Sequence, residues 1–398
     1  MTLVIDLMKV RKTYKYRPYG SKKRDTHLHQ MIDIVGIIWN HITALQKRYY
    51  RRFGKHISES RMKQHIAKLR MKTQKYTYWR KVGSQAVQDI CERHEKVYEK
   101  FFEKRGGLPR FKKVKKYRSF TLKQAGWKLE DSHQGKKYRQ IRIGKRPYKF
   151  VYHRPLTGDI KTISIKRDAV GNLWICFSVV EEMTTAQETS TGQSGGFDFG
   201  LRTFLTNDDG QKIDNPEYFK QGLPRLRTIQ RQVSKKQKQS KNRQSGKKHI
   251  ARRHIRIADK RRDFHYQLAH ALCDQYDILV FEDLNIAAMK RLWGQKVSDL
   301  GFSQFIAIVE WVALKRGKQV VFIDRWERTT GICSCCGHKQ NLELKDRLFC
   351  CENCGLILDR DHNAAINIRE LGHQLILSQS EEDPCIKTGH PALTSEAH

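Results

Sequence analysis

The sequence predicts a multidomain α+β protein, in which a β-barrel with an inserted helical domain precedes an RNase H-like α/β domain that carries a small metal-binding insert. Three patterns predict it. Apolar residues recur at helical spacing from Leu28 to Leu45, short alternating segments fill 110–182, and strands alternate with helices beyond residue 195. Because strands separated by helices pair side by side, we expect a mixed sheet with a parallel core in the second half.

The N-terminal half divides into strands and helices. We expect one or two strands in 1–20, helices beginning at Leu28, spanning about 58–71 and following an N-cap at Ser84, and a break at 105–109. The later strands are predicted at 140–143, 148–152, 161–165 and 174–180. Residues 1–20 and 106–190 would then form the barrel, with 21–105 as the inserted helical domain.

The C-terminal half begins with a predicted hairpin at 195–206, in which Asp198 faces away from Phe197 and Phe199. A long helix should begin near Lys247 and lead into a buried strand at 277–281. A helix at about 302–316 and a strand at 319–323 follow, and the polar residues 376–398 are expected to be a disordered tail.

The charge of the chain indicates a polyanionic partner. The 398 residues include 78 Lys+Arg against 41 Asp+Glu, a net charge of +37, so nucleic acid is the default expectation. The sequence contains no run of about 18 uninterrupted apolar residues that would predict a membrane span. Its first residues lack the order of a secretory signal, so we expect a cytoplasmic protein that acts at the nucleoid, with no membrane partner.

Three carboxylates stand at the edges of separate apolar segments. Asp198 lies on the first predicted strand, Glu282 ends a later one, and Asp361 opens a late helix. Each alone has an ordinary explanation, such as a turn residue or a helix cap. Their order is the one in which an RNase H-like fold gathers acids to bind two Mg²⁺ ions, so a metal-dependent nuclease is predicted. Asp359 suits helix capping, which makes Asp361 the preferred ligand and Asp359 the alternative.

The cysteines predict a structural zinc site. Six of the ten fall between Cys333 and Cys354, and two Cys-x-x-Cys-Gly motifs are separated by 14 residues. Four thiolates form a closed tetrahedral site, whose ligands we predict as Cys333, Cys336, Cys351 and Cys354. Cys335 and Cys350 fall outside that spacing, and Cys91, Cys176, Cys273 and Cys385 are scattered and expected to be inert.

Basic segments offer candidate nucleic-acid contacts. Residues 225–262 hold 16 Lys+Arg and one acid, which suits phosphate contact better than a solvated helix face. The mixed basic and aromatic clusters at 110–118 and 142–149 fit RNA binding and charged barrel edges equally well.

These motifs resemble TnpB, the family of transposon-encoded RNA-guided DNA nucleases related to type V CRISPR effectors. The matching segments are 196–201, 280–285, 333–337, 351–355 and 359–368, with further similarity in the basic segment 252–268. Strong similarity covers about 195–370, and the N-terminal half matches in layout only. Phe197 and Phe199 stand where smaller aliphatic residues are usual in the family.

The resemblance implies a domain plan and a set of partners. It implies a wedge barrel (1–20 and 106–190), a helical recognition domain (21–105), a RuvC nuclease domain (191–332 and 357–375) and a zinc-binding target-loading insert (333–356). It implies Asp198, Glu282 and Asp361 as the metal-binding triad for two Mg²⁺ ions, one structural Zn²⁺, a guide RNA derived from the transposon end and a double-stranded DNA target beside a short flanking motif. One chain per RNA is the expectation, and the oligomeric state is left open.

Three other functions compete with an RNA-guided nuclease of transposon origin. A compact type V CRISPR effector would use the same chemistry. A non-cleaving repressor would bind RNA or DNA without cutting it, although the retention of all three acids argues against one. A DDE-type transposase also uses three acids, but it would join DNA strands.

Overall fold

The computed structural model describes residues 7–20, 22–130, 137–184, 190–343 and 346–382. Contacts divide the chain into two compact units, Leu7–Met183 and the described residues from Thr184 onward.

The first unit combines three helices with two antiparallel sheets. Strands β1 (Leu7–Tyr16) and β2 (Pro18–Tyr19) precede helices α1 (Lys22–Phe53), α2 (Glu59–Lys72) and α3 (Ser84–Phe102). The remaining strands are β3 (Ser119–Leu122), β4 (Trp127–Glu130), β5 (Tyr138–Ile143), β6 (Arg146–Val151), β7 (Asp159–Arg167) and β8 (Leu173–Thr184). One sheet has the order β1-β8-β7-β3 and the other β2-β6-β5-β4, so the N-terminal strands join sheets built from the later ones.

A single hydrophobic core connects these sheets to the helices. Tyr16 lies between them, with its ring 5.1 Å from Phe150 of β6 and 5.6 Å from Phe177 of β8. The apolar face of α1, including Ile38, packs into the same core. The periodicity that predicted α1 is therefore the face that it buries. Helix α3 begins at the predicted residue, but its N-cap is Gly83 and Ser84 makes no capping hydrogen bond, so the predicted cap was wrong by one position.

The second unit is built on a five-stranded mixed sheet. Its strands are β9 (Ser194–Asp198), β10 (Thr203–Asn207), β11 (Lys212–Asp214), β12 (Ile278–Glu282) and β13 (Gln319–Ile323), in the order β11-β10-β9-β12-β13. Strands β9, β12 and β13 run parallel, and β10 and β11 add to the edge as antiparallel strands. The predicted hairpin and the parallel core are both present.

Helices cover both faces of this sheet. They are α4 (Tyr218–Lys235), α5 (Lys241–Gln275), α6 (Ile286–Leu300), α7 (Phe302–Arg316) and α8 (Arg360–Glu382). Residues of β12 alternate between the faces: Leu279 and Phe281 pack with α5, α6 and α7, whereas Val280 packs with Ile368 of α8. A small hairpin of β14 (Leu348–Cys350) and β15 (Ile357–Asp359) precedes α8.

Several boundaries differ from the predicted ones. Helix α5 begins at Lys241 rather than near Lys247, because Ser240 accepts a capping hydrogen bond from the Arg243 amide. Helix α8 continues to Glu382, so 376–382 is helical and the predicted tail was wrong there; 383–398 lies outside the described residues. Within the described ranges no single helix is long and apolar enough to cross a membrane, and only α6 and α7 together, bent by 49°, reach that length and composition.

Candidate functional site: a carboxylate cluster beside a four-cysteine site

Asp198 and Glu282 lie side by side at one edge of the mixed sheet. Strands β9 and β12 are parallel neighbours, with Phe197 opposite Phe281. The next residue on each strand is the acid, so both carboxylates stand at the carboxyl ends of adjacent strands. Parallel α/β sheets commonly place their ligand sites at that edge.

Helix α8 brings Asp361 to the same edge. Asp361 lies in the first turn of α8, which packs directly over β9. Two glycines make this close approach possible: a Cβ on Gly196 would lie 2.1 Å from the Ala365 carbonyl oxygen, and a Cβ on Gly372 would lie 2.5 Å from Val280. Gly196 thus has a steric reason in the packing of the helix that carries the third acid, whereas a Cβ on Gly195 would meet Tyr276 at 2.8 Å.

The charges of the three acids act on one another. Burial, Glu282 and Asp361 together raise the pKa of Asp198 well above its usual value, with Arg360 opposing the shift. Burial also raises the pKa of Glu282, although a hydrogen bond from the Thr329 hydroxyl, at 2.5 Å, acts in the opposite direction. Neighbouring carboxylates with raised pKa values, such as Asp198 and Glu282, are typical of a site completed by cations.

Arg360 partly balances the cluster through an ion pair with Asp361 at 3.2 Å. Even so, the three acids do not bring one oxygen each within 4.8 Å of one another, a separation that only the cysteine group meets among the described residues. Mutual repulsion of the carboxylates and the pull of Arg360 on Asp361 account for the wider spacing.

Asp359 has the capping role that the sequence predicted. Its Oδ1 accepts hydrogen bonds from the amides of Asp361 and His362, at 3.1 and 3.4 Å, at the start of α8. Its carboxylate also pairs with Lys212 at 2.6 Å. Although partial burial opposes it, the hydrogen bond from Lys212 lowers the pKa of Asp359. Asp359 is therefore paired with Lys212 at the helix cap, whereas Asp361 pairs with Arg360 and its charge acts on Asp198.

The four predicted cysteines converge. The Sγ atoms of Cys333, Cys336, Cys351 and Cys354 all lie within 4.8 Å of one another. The Cys333–Cys354 and Cys336–Cys351 sulfur distances are 3.6 and 3.5 Å. Tetrahedral zinc with Zn–S bonds of about 2.3 Å requires sulfurs about 3.8 Å apart, so the cluster has the dimensions of a closed zinc site.

Matching turns hold the two cysteine pairs. Gly337 and Gly355 each have φ +72°, a conformation that favours glycine. Each donates its amide to the carbonyl of the first cysteine of its pair, Cys333 or Cys351, at 3.0 Å. Cys335 and Cys350 are exposed and lie outside the cluster. Cys91, Cys176 and Cys273 are buried, and burial raises the pKa of the Cys91 thiol to about 12; Cys385 lies outside the described residues.

Sequence reasoning missed the side chains that connect these two sites. Asn363 is fully buried and accepts a hydrogen bond from the Ser334 amide while donating to the Ile332 carbonyl. Asn367, one helical turn later, donates to the carbonyls of Thr329 and Ile332. Two asparagines at i and i+4 in an otherwise apolar helix face were the available signal.

A second missed group ties α8 to the β9–β10 hairpin. Asp208 is buried, pairs with Arg369 at 2.6 Å and accepts the Gly196 amide at 3.1 Å. A nitrogen of the His362 ring lies 3.0 Å from the Asp208 carbonyl oxygen. These contacts fix the helix against the strand that ends in Asp198.

The Lys and Arg side chains of the predicted basic segments differ in their exposure and in their partners. The run 225–262 lies on α4 and α5, where most Lys and Arg side chains are exposed. In the first unit, by contrast, Lys112 sits 3.9 Å above the Trp39 ring, Lys115 pairs with Asp33, and Arg142 pairs with Glu130. Part of the 110–118 and 142–149 clusters is therefore used inside the unit itself.

Comparison with known proteins gives a consistent relationship. A family model described as "Probable transposase" matches residues 177–292, and a "Cas12f1-like, TNB domain" model matches 302–368. The chain is 28% identical to a provisionally named RNA-guided DNA endonuclease of Streptomyces pristinaespiralis, over 92% of this chain and 90% of that one. It is 26% identical to a similarly named protein of Escherichia coli (strain K12), over 93% and 94% of the two chains.

Two further matches bear on the fold and the family. The TnpB-like protein L79 of Acanthamoeba polyphaga mimivirus is 28% identical over 55% of this chain and 45% of its own. A Cas12f1 chain solved with single-guide RNA and target DNA shares the fold, with a TM-score of 0.54 and 11% identity over 91% of this chain and 99% of that one. The matches agree with the motifs from which the relationship was predicted, and the chain resembles TnpB-like proteins.

Proposed function

We propose that this protein is an RNA-guided, metal-dependent DNA endonuclease of transposon origin, which cuts target DNA beside a short flanking motif with a single carboxylate site. The observation that carries the proposal is that Asp198 and Glu282 end adjacent parallel strands, where burial and the charges of Glu282 and Asp361 raise the pKa of Asp198. Relatives that align with nearly the whole chain and are named as RNA-guided DNA endonucleases support it.

The donor set fits magnesium. Carboxylate oxygens are the ligands that Mg²⁺ prefers, and three acids with one nearby arginine leave negative charge that cations would neutralise. Asp198, Glu282 and Asp361 would hold two ions, which suits acids too widely spaced to converge on one. When bound, a metal pair activates the attacking water and stabilises the departing oxygen of the phosphodiester.

The chain itself orients these ligands. Thr329 donates to Glu282 and fixes one carboxylate oxygen. Asp359 caps α8 and so fixes the turn that carries Asp361. The aromatic rings of Phe197, Phe199 and Phe281 stack beneath the acids, with centroid distances of 5.1 and 5.5 Å to Phe281, and close this face of the sheet to water.

We further propose the domain roles. The wedge (1–20 and 106–190) and the helical recognition domain (21–105), which together include the first unit, would bind the guide RNA. The RuvC domain would comprise 191–332 and 357–375, and the zinc-bound insert at 333–356 would load the target strand. If base pairing with the guide RNA recognises the target sequence, the protein itself contacts mainly the nucleic-acid backbone. A net charge of +37 is consistent with such contacts.

The test uses the full chain purified with the RNA that accompanies it. With Mg²⁺ and a target that matches the RNA, it should cut DNA, and Asp198→Ala or Glu282→Ala should abolish cutting while DNA binding persists. Cutting by both variants at the wild-type rate would refute the site. One abundant RNA ending in a variable segment is expected, and random cellular RNA would refute guidance.

A transposase is the second candidate, because the family model matching 177–292 is described as "Probable transposase". A strand-transfer assay with transposon ends separates the two. Joined products would favour the transposase, and we expect cut target DNA without joining. A repeat array beside the gene would instead favour the CRISPR effector.

A further inference from the structure

Thr329 lies at the junction of the two sites. It is buried, and its hydroxyl donates to Glu282 at 2.5 Å. It lies four residues before Cys333, the first cysteine of the four-cysteine site. Contacts that hold the short segment between Thr329 and Cys333 therefore affect both the carboxylate site and the cysteine site.

Two asparagines of α8 hold that segment. Asn367 donates to the Thr329 carbonyl at 2.7 Å and to the Ile332 carbonyl at 2.8 Å. Asn363 donates to the Ile332 carbonyl at 2.7 Å and accepts from the Ser334 amide, inside the first cysteine turn, at 2.9 Å. A continuous chain of hydrogen bonds thus leads from the cysteine turn, through α8, to Glu282.

We propose that Thr329 is a positioning residue for Glu282, and that the zinc-bound insert holds it in place through Asn363 and Asn367. The inference rests on the proposed function, since it concerns the ligands of that same site. A buried carboxylate without its hydrogen-bond donor can rotate and loses a partner that favours its charged form. The insert then has a second role beside the contact with DNA: it keeps the nuclease site ready to bind its metal.

Thr329→Val tests the proposal, because valine keeps the shape and removes only the hydroxyl. Mn²⁺ binding to the full chain, followed by electron paramagnetic resonance, should weaken about tenfold or more, as is typical when an outer partner of a metal ligand is lost. Thr329→Ser should restore it. Thr330→Val, at the exposed neighbouring threonine, is the matched control and should bind Mn²⁺ like the wild type.

Zinc content separates positioning from unfolding. Thr329→Val should retain one zinc per chain, and Asn367→Ala should retain zinc while losing Mn²⁺ affinity. Unchanged Mn²⁺ affinity in Thr329→Val, with wild-type protein that binds Mn²⁺ and cuts DNA, would overturn the positioning role alone. Wild-type protein that binds no Mn²⁺ would overturn the proposed function together with this inference.

An independent observation concerns the loop just before Thr329. Trp326 is 86% exposed, an unusual position for so large an apolar side chain. Its loop begins where Ile323 pairs with Glu282 and ends at Thr329, so both of its ends are fixed beside the acids. Arg325, Glu327 and Arg328 surround Trp326 in the sequence and are exposed as well, and Arg325 pairs with Asp283.

We infer that Trp326 is a stacking platform for a base of single-stranded DNA next to the scissile phosphate. An exposed indole with the exposed Arg328 two residues away offers the two contacts that single strands use, stacking on the base and attraction of the phosphate. This inference also depends on the proposed function. Base stacking would explain why this tryptophan is exposed beside the carboxylates rather than buried in a hydrophobic core.

Base stacking can be observed without cleavage. In the Asp198→Asn protein with its RNA, a 2-aminopurine placed stepwise through the target DNA should be quenched at one position near the cut. Adding Trp326→Ala should remove that quenching, Trp326→Phe should keep most of it, and Trp293→Ala, at a half-exposed tryptophan of α6, should leave it unchanged. Equal quenching with Trp326→Ala at every position would overturn the platform, while cutting by the wild type would keep the proposed function.

Discussion

Asp359 and Asp361 stand two residues apart, yet their surroundings differ. Asp359 accepts two amide hydrogen bonds at the start of α8 and pairs with Lys212. The charge of Asp361 helps to raise the pKa of Asp198, and Asp361 pairs with Arg360. We therefore propose Asp361 as the third ligand, with Asp359 as the helix cap.

A pair of substitutions separates these roles. Asp361→Ala should abolish cleavage, because the third carboxylate of the site is lost. Asp359→Ala should retain cleavage and lower the free energy of unfolding by about 1 kcal/mol, the usual effect of removing a helix cap. Urea denaturation and a cleavage assay on each variant measure the two effects, and loss of cleavage in Asp359→Ala without loss of stability would exchange the assignments.

At the scale of elements, helix α8 depends on glycine. A Cβ on Gly196 would lie 2.1 Å from the Ala365 carbonyl oxygen and 2.6 Å from the Arg369 amide nitrogen. Gly196→Ala should push α8 away from β9, lower the free energy of unfolding by about 1–3 kcal/mol and reduce cleavage, since Asp361 moves with the helix. Gly107→Ala is the control, because a Cβ there meets nothing within 4 Å. Equal melting temperatures for the two variants would contradict this packing.

The cysteine insert is a second element whose fold depends on few residues. Cys333→Ser with Cys351→Ser should abolish zinc binding and expose 333–356 to proteolysis, since a segment this short has only a small core of its own around Phe349. Cys335→Ser with Cys350→Ser provides the matched control and should keep one zinc per chain. Zinc measured by atomic emission decides the outcome, and retention of zinc in the first pair would show that other ligands are used.

The elements that could be predicted from the sequence are those in which apolar and polar residues alternate or repeat over a short stretch of the chain. Alternation of Phe197, Asp198 and Phe199 was enough to predict the hairpin and the face of the acid. Helix α4 was missed, because Pro224 is usually a helix breaker and its buried face is only Leu226, Ile229 and Val233.

Contacts between residues far apart in the chain could not be predicted from local sequence patterns. Helix α6 was missed because its backbone is kinked at Trp293 and Gly294. Contacts such as Asp208 with Arg369, 161 residues apart, depend on the assembled sheet and carry no local periodicity. The chain of hydrogen bonds between the insert and Glu282 belongs to the same class, since its two asparagines look like ordinary polar residues in a sequence.

At the scale of the whole molecule, ionisable side chains affect the stability of the fold as well as the binding of nucleic acid. In the first unit, His94 is fully buried and its ring lies 3.3 Å from the Thr43 hydroxyl. Burial, with the nearby His56 and Lys112, lowers the pKa of His94 to about 4. Glu95 has the opposite tendency, because burial together with Glu59 and Glu99 raises its pKa to about 7.

The sign of the histidine effect follows from its lowered pKa. As the pH falls below about 6.5, the unfolded chain binds a proton at His94 while the folded chain does not, so stability decreases until the pH reaches about 4. Between pH 7 and 5 this one residue should cost about 1–2 kcal/mol. Protonation of Glu95 stabilises the folded chain over the same pH range by a similar amount and so offsets much of the loss, which means that the net change alone is not diagnostic.

His94→Gln isolates the contribution of His94 to the pH dependence of stability, because glutamine cannot be charged and Glu95 stays in place. Urea denaturation of the full chain, followed by tryptophan fluorescence, should show a smaller loss of stability from pH 7 to 5 in His94→Gln than in the wild type. Trp39 lies 5.1 Å from the His94 ring and reports on this core. His153→Gln, at an exposed histidine of the same unit, should follow the wild-type pH dependence. If His94→Gln lost as much stability as the wild type, the burial of a neutral histidine would not be what limits this unit at acidic pH.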